Sequence, residues 1–184
     1  MRLRSLTSAL SVSLPALVVA WLHAPDRLRR AWCLVLAAAA GATAPVIRIT
    51  QTSIAGAQLG LTRAAYRKPF GGAPKVAKLE GGLTRLDFPR SASVFFRSSG
   101  GGAIGMVVWD EQYRTAARVG PCSTAAQLKR AYGTRLRPFR LQGKVVGYRL
   151  GRLFFAVEDG KRVGVVQLSS TALPPYAALN SLSC

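Results

Sequence analysis

Apolar and polar residues change rhythm several times along this chain. From residue 46 onward they form short blocks that occur twice in the same order. The first block of each set has helical spacing. In TAAQLKRAYG (124–133), Ala125, Leu128 and Tyr132 share one side, while Lys129 and Arg130 point away. Thr124 is placed as N-cap with Gln127 as its reciprocal partner, and Gly133 supplies a left-handed stop. TRAAYRKPFG (62–71) is the counterpart at an offset of 62 residues. It matches at Thr62/Thr124, Ala64/Ala126 and Gly71/Gly133, with Phe70 opposite Tyr132. Ala65 stands where the Gln would be, and Pro69 must end or kink that helix.

The second block is strand-like. VFFRSSGGGAIGMVVW (94–109) and LFFAVEDGKRVGVVQL (153–168) align at an offset of 59. They share Phe95/Phe154, Phe96/Phe155, Gly101/Gly160, Gly105/Gly164 and Val107/Val166. Alternation predicts strands over 83–88, 94–97 and 103–109, and again over 145–150, 152–157 and 162–168. Gly151 and Glu158-Asp159-Gly160-Lys161 mark turns, and 98–102 reads as a flexible loop. Successive strand residues face opposite ways, so each adjacent Phe pair splits between two faces. One ring of each pair joins the core, and the other lies exposed or packs against the sister unit. Two matches in the same order argue for an internal duplication. The predicted class is therefore α+β, in two tandem units, each a short helical segment followed by its own antiparallel β-sheet. The predicted boundaries are 45–111 and 112–170, with a tail over 171–184 that includes Pro174-Pro175.

The pattern resembles the β-lactamase-inhibitor-protein-like tandem repeat. It is also similar to the SmpA/OmlA-type envelope lipoproteins, which carry a single related unit. The residues that carry the likeness are Gly60-Leu61-Thr62 with Gly71, and Cys122-Ser123-Thr124 with Gly133. The second copy, VGPCSTAAQLKRAYG, looks most like exported actinobacterial proteins of this kind; the first departs at Tyr66 and Pro69. The resemblance implies a two-unit α+β fold that presents a sheet surface for binding. It does not imply inhibitor activity.

The first 44 residues have a different composition. An apolar run over 6–24 follows Arg2 and Arg4, and a second over 31–44 follows APDRLRR (24–30). A basic cluster, an apolar run and small residues at its end make a secretory signal peptide, with Ala40-Gly41-Ala42 as one cleavage site and Ala42-Thr43-Ala44 as a second that Pro45, which would follow the cut, is expected to disfavour. If both runs spanned a membrane with the amino terminus inside, Arg27, Arg29 and Arg30 would lie outside, against the positive-inside rule. The preferred expectation is that residues 1–25 extend the reading frame upstream and that the signal starts near Asp26. The alternative is an uncleaved membrane anchor, although 31–47 is short for a span. Cys33 does not sit in a lipobox.

Removal of residues 1–44 leaves Cys122 and Cys184. An oxidising compartment favours a disulfide between them. Closing that loop would stabilise by roughly 4 kcal/mol in the chain-entropy model. A free thiol at Cys122, activated by the start of the following helix, is the competing reading.

Charge comes next. The chain carries a formal charge of +19, with 20 Arg and six Lys against seven acids. An Ala-, Gly-, Arg-, Val- and Leu-rich composition can produce this without selection for an anionic partner, because charge speaks to association and not to fold. Basic residues are densest over 129–152, where Lys129, Arg130, Arg135, Arg137, Arg140 and Lys144 are the candidate contacts to an anionic partner. Tyr132, Phe139 and Tyr148 are interleaved with them. In an exported protein the expected partner is another protein or an anionic envelope polymer or lipid. Export argues against nucleic acid, and membrane contact is expected through an uncleaved amino-terminal segment alone.

No catalytic, cofactor or metal residues are assigned. The single histidine, His23, lies in the segment expected to be removed, which takes away a His-based triad and ordinary His-containing zinc sites. Asp110-Glu111 and Glu158-Asp159 read as solvated turn residues. Gly100 to Gly105 lacks the Gly-Lys-Ser/Thr ending of a phosphate loop. The expected function is thus an exported, non-enzymatic binding module of the cell envelope or extracellular space. A secreted inhibitor of an enzyme is the alternative.

Overall fold

The computed structural model describes residues 45–170. The expected signal or anchor region, residues 1–44, lies outside the described residues, as does the tail with Cys184. Among the described residues no helix is long and apolar enough to cross a membrane.

Three short strands come first: β1 (Ile47–Ile49), β2 (Ser53–Ile54) and β3 (Ala57–Gln58). A 3-10 turn (Arg63–Tyr66) runs into α1 (Arg67–Phe70), and β4 (Lys75–Leu79), β5 (Leu83–Phe88), β6 (Ala92–Arg97) and β7 (Gly105–Val108) follow. After β8 (Tyr113–Thr115) come α2 (Ala125–Tyr132) and a 3-10 turn (Gly133–Arg135). The last strands are β9 (Arg137–Leu141), β10 (Lys144–Leu150), β11 (Leu153–Glu158) and β12 (Arg162–Ser169). The described residues are thus mostly β, with two short helices and two sheets, a β-rich α+β arrangement.

The larger sheet has eight strands in the order β4-β5-β6-β7-β12-β11-β10-β9, all antiparallel. Each helix was expected to lead into a sheet of its own; instead β7 pairs with β12 and the two sets of strands merge. The reason is hydrogen bonding. As the inner edges of two separate sheets, β7 and β12 would each present unpaired N–H and C=O groups, and pairing them satisfies both. Each set also has a fourth strand that periodicity missed, β4 and β9. These are the outer edges, where KVAKL and RPFRL are largely exposed and show no apolar alternation.

The smaller sheet, β3-β2-β1-β8, pairs β1 parallel to β8 and so crosses the expected boundary at 111/112. Two buried tyrosines tie its strands to other parts of the fold. Tyr66 donates to the Gln58 carbonyl at 2.5 Å, and Tyr113 to the Arg90 carbonyl at 2.6 Å. Tyr66 also stacks on Phe70 and meets Phe96 edge-on at 5.8 Å.

The helices behave as their sequences dictate. α2 carries the complete capping box, with the Gln127 amide donating to Thr124 Oγ1 at 3.1 Å and the Thr124 amide to Gln127 Oε1 at 2.8 Å. Leu128 is fully buried, which is worth about 1.5–3 kcal/mol. Gly133 ends the helix at φ 52°, ψ −129°, a region open essentially to glycine but not the left-handed helical one. In the first set, Pro69 lies in a single α-helical turn entered from a 3-10 turn, and Gly71 provides the left-handed stop.

Both faces of the large sheet are packed. On the helix side, Tyr66, Phe70 and Leu128 meet Phe88, Val94, Phe96, Met106, Leu153, Phe155, Val166 and Leu168. The other face has its own cluster of Phe95, Val107, Phe154, Ala156 and Val165. The Phe pairs therefore split as expected, but neither second ring is exposed.

The loop over 98–102 is less free than its glycines suggest. Gly60 donates to the Ala103 carbonyl at 2.8 Å and Ala103 to the Leu61 carbonyl at 3.1 Å. A Cβ on Gly102 would fall on the Gly60 backbone. Gly102→Ala is expected to destabilise by about 1–3 kcal/mol, read as a lower denaturant midpoint. An unchanged midpoint would show that the two backbones do not approach closely.

The two tyrosines also make a pH prediction. Burial pushes Tyr66 up from its ordinary value of 10.0 to about 12. Tyr113 is raised further, first by burial and then by the Asp110 carboxylate, with Arg90 opposing. A phenol raised in the folded state stays protonated there while the unfolded chain loses its proton. Its contribution is therefore complete below pH about 10 and is lost as pH climbs through the folded value. Thermal stability should fall above pH about 10, and less steeply in Tyr66→Phe. An ultraviolet titration in which every tyrosine ionises near 10 while the fold persists would contradict this.

Candidate functional site

The six sequence-selected cations are all exposed. They lie at one end of the sheet, on and around α2, β9 and β10, but do not share one surface. Lys129 and Arg130 occupy the outer turn of α2. Lys129 Nζ sits 5.5 Å from the Tyr148 ring, and Arg135 Cζ 5.5 Å from the Tyr132 ring. Each such contact is worth about 0.5–1 kcal/mol at an exposed site. Tyr132 donates to Thr115 Oγ1 at 2.6 Å, which fixes the platform under Arg135.

Arg137 belongs to a different surface. It pairs across strands with Arg149, on the sheet face turned away from the helices. Arg149, which lay within the basic stretch but outside the six, rests its guanidinium 5.1 Å from Phe139. Phe139 in turn meets Phe154 edge-on at 5.5 Å. Arg140 and Lys144 flank the β9–β10 turn, where Gln142 and Gly143 both have positive φ as a type I′ hairpin requires. Arg140 donates to the Gly143 carbonyl at 2.9 Å. The edge strand β9 was the missed element; its signal was the Gln142-Gly143 turn, which fixes a strand on either side.

None of the six pairs with an acid among the described residues. The ion pair found there is Arg85–Asp87 at 2.9 Å, and Asp87 also accepts from Ser93 at 2.5 Å. Asp110 accepts from the Gln112 amide at 2.8 Å, a turn bond. Asp159 has positive φ in the β11–β12 turn. Residues 45–170 carry 21 basic side chains and six acidic ones, a formal charge of +15, so most cations can have no acidic partner within this part of the chain.

Among the described residues, open clefts are found both near α2 and in the first half of the fold. One of about 350 Å³ is lined by Ala117, Arg118, Val119, Gln127, Arg130 and Ala131. Another of about 590 Å³ lies beside α1 and β1, with Lys68 and Arg90 among mostly apolar residues. Among the described residues no three His, Cys, Asp or Glu side chains gather as metal ligands would.

Cys122 precedes α2 with φ 64° and is disulfide-bonded, so the activated thiol drops out; no other cysteine lies within residues 45–170. Its amide donates to the Val163 carbonyl at 2.7 Å, and Val163 returns a bond to Ser123 at 2.8 Å. The start of α2 is thereby stitched to β12. Ser123 is buried and accepts from the Gly120 amide and from Arg114 at 3.1 Å each.

No family model matches this chain, and no curated protein does. Among solved structures it is similar to a cysteine-rich secretory protein from Staphylococcus aureus subsp. aureus Mu50, at 10% identity and a TM-score of 0.42. The match covers 76% of this chain and 55% of that one, so this chain spans about half the length of that protein.

Proposed function

We propose that the chain is an exported, non-enzymatic binding module of the cell envelope or extracellular space, and that its partner is anionic. The observation that carries this reading is the set of exposed cations at one end of the sheet with no acid beside them. An anionic polymer or a lipid headgroup layer would supply the missing countercharge. The acids support the same reading, because Asp87, Asp110 and Asp159 already serve an ion pair and turns. The disulfide of Cys122 is assigned to Cys184. The body is read as two related units, since a short helical segment followed by four strands occurs twice and the sheet order runs outward from β7 and β12 in both directions. That arrangement is in keeping with the tandem-repeat resemblance drawn from the sequence.

Binding to poly(glycerol phosphate), to vesicles containing phosphatidylglycerol and to DNA should be compared at several salt concentrations. The polymer or the vesicles are expected to bind, and to bind more weakly as salt rises. Replacing Arg137, Arg140 and Lys144 with Ala should cost at least tenfold in affinity, on a scale of about 1 kcal/mol for each basic residue near an anionic surface. Replacing Lys75 and Lys78 on the opposite edge should cost much less. Absent or salt-insensitive binding would return the charge to composition alone, and inhibition of an enzyme from a β-lactamase and protease panel would favour the inhibitor reading instead.

Export has its own test. Fractionation and amino-terminal sequencing should find the protein outside the cytoplasm and beginning near residue 43 or 45. A full-length cytoplasmic product would overturn the proposed location.

A further inference from the structure

At one edge of the large sheet two arginines stand side by side. Arg137 on β9 and Arg149 on β10 are directly opposite in register. Residues in such positions have Cβ atoms about 4.5–5.5 Å apart, so both guanidinium groups reach the same space. Both side chains are exposed. The ion pair among the described residues is Arg85–Asp87, and neither Arg137 nor Arg149 has a carboxylate beside it there. Like charges placed opposite each other are unfavourable in a sheet. Arg149 recovers part of that cost from the Phe139 ring, 5.1 Å from its Cζ. Arg137 has no such support.

The ring under Arg149 is itself held in place. Phe139 is half-buried and meets Phe154 edge-on at 5.5 Å, although β10 runs between their strands. The residue of β10 opposite Phe139 is Gly147, and a Cβ there would fall on the Phe154 ring. Glycine therefore leaves the gap in which the two rings meet. The ladder also shifts register between Val145 and Gly147, a bulge of the kind that re-aims side chains.

We propose that Arg137 and Arg149 form a clamp for one phosphate group of a flexible phosphodiester polymer. The proposal rests on the anionic-partner reading above and gives it a site. Two planar guanidinium groups can each donate a pair of N–H bonds to the same phosphate, and its negative charge offsets the repulsion between them. Strand geometry favours a polymer over a lipid surface. Arg137 and Arg140 lie three residues apart on β9, so they project from opposite faces, about 10 Å apart along the strand. Lys144 lies across the turn from Arg140, where it pairs with Leu141. A flat bilayer meets one side of this edge at a time. A flexible chain can leave the clamp, round the edge and reach Arg140 and Lys144, because β9 is the outermost strand. Phe139 argues against single-stranded nucleic acid. Its ring is taken up by Arg149 and Phe154, so it offers no free platform for a base.

Titration of the full chain with poly(glycerol phosphate) tests the clamp through substitutions that preserve charge. Arg137→Lys and Arg149→Lys keep the formal charge but replace a planar fork with a point charge. Each should weaken binding about tenfold, the loss of roughly one charge-assisted hydrogen bond. Arg67→Lys, at an exposed position on α1, should leave affinity unchanged. The losses from Arg137→Ala and Arg149→Ala should fall short of adding in the double variant, because either change alone opens the clamp. Salt-sensitive polymer binding that ignores both Lys variants, or losses that add in full, would overturn the clamp and leave the anionic-partner reading standing. Absence of binding to any polyanion would take down both. Vesicles containing phosphatidylglycerol separate the sources of phosphate. Their binding should change little with the Lys variants, and a tenfold loss there without one on the polymer would reassign the pair to a lipid headgroup. Arg149 also packs on Phe139, so if its replacement lowers the folding midpoint, Arg137→Lys decides alone.

Discussion

Four residue pairs between β7 and β12 hold the large sheet together: Val108 with Val166, Val107 with Gln167, Met106 with Leu168 and Gly105 with Ser169. Without that seam each set of four strands would end in an open inner edge. The seam also sets the packing on both faces. Met106, Val108, Val166 and Leu168 carry the main core across the middle of the sheet, and Val107 belongs to the cluster on the reverse. β12 takes on further duties because it is longer than β7. Past the end of β7 its free side bonds to residues 122–125, so the first turn of α2 is positioned by the same strand that joins the halves.

Local signals are legible in the sequence, and non-local ones are not. The capping box of α2, the two helix-ending glycines and most central strands depend on residues a few positions apart. Their rules hold without knowledge of the rest of the fold. Strand 83–88 matches β5, and 162–168 matches β12 to one residue. β4 and β9 show no apolar period because each is an edge strand largely exposed on both faces, and β9 also contains Pro138. The small sheet escaped because strands of two or three residues are too short to show alternation. The merging of the two sets is a partner choice, which no run of residues encodes by itself.

The same division applies to the candidate site. The six cations stand out in the sequence as part of its densest basic stretch, but their surfaces do not. Arg137 faces away from Lys129 because β9 pairs with β10, and that pairing follows from a strand the periodicity did not show. It also brings Arg137 opposite Arg149 and places Phe139 under the Arg149 guanidinium. Two like charges side by side in a sheet are unfavourable in isolation. The aromatic ring offsets part of that cost, and an anion binding between the two guanidinium groups would offset more.

The outer edges deserve a different view. β4 presents Lys75 and Lys78, and β9 presents Arg137, Arg140 and a proline that cannot donate a ladder bond. An eight-stranded sheet with two bare edges is a template for fibre-like stacking of copies. Here both edges carry the same sign, so an approaching copy meets repulsion whichever edge it offers. That barrier is electrostatic and therefore has a finite range, about 10 Å at 0.1 M salt and shorter in brine. Repulsion between two such edges would therefore weaken as ionic strength rises. A polyanion lying along either edge would cancel the repulsion at the place where another chain could join.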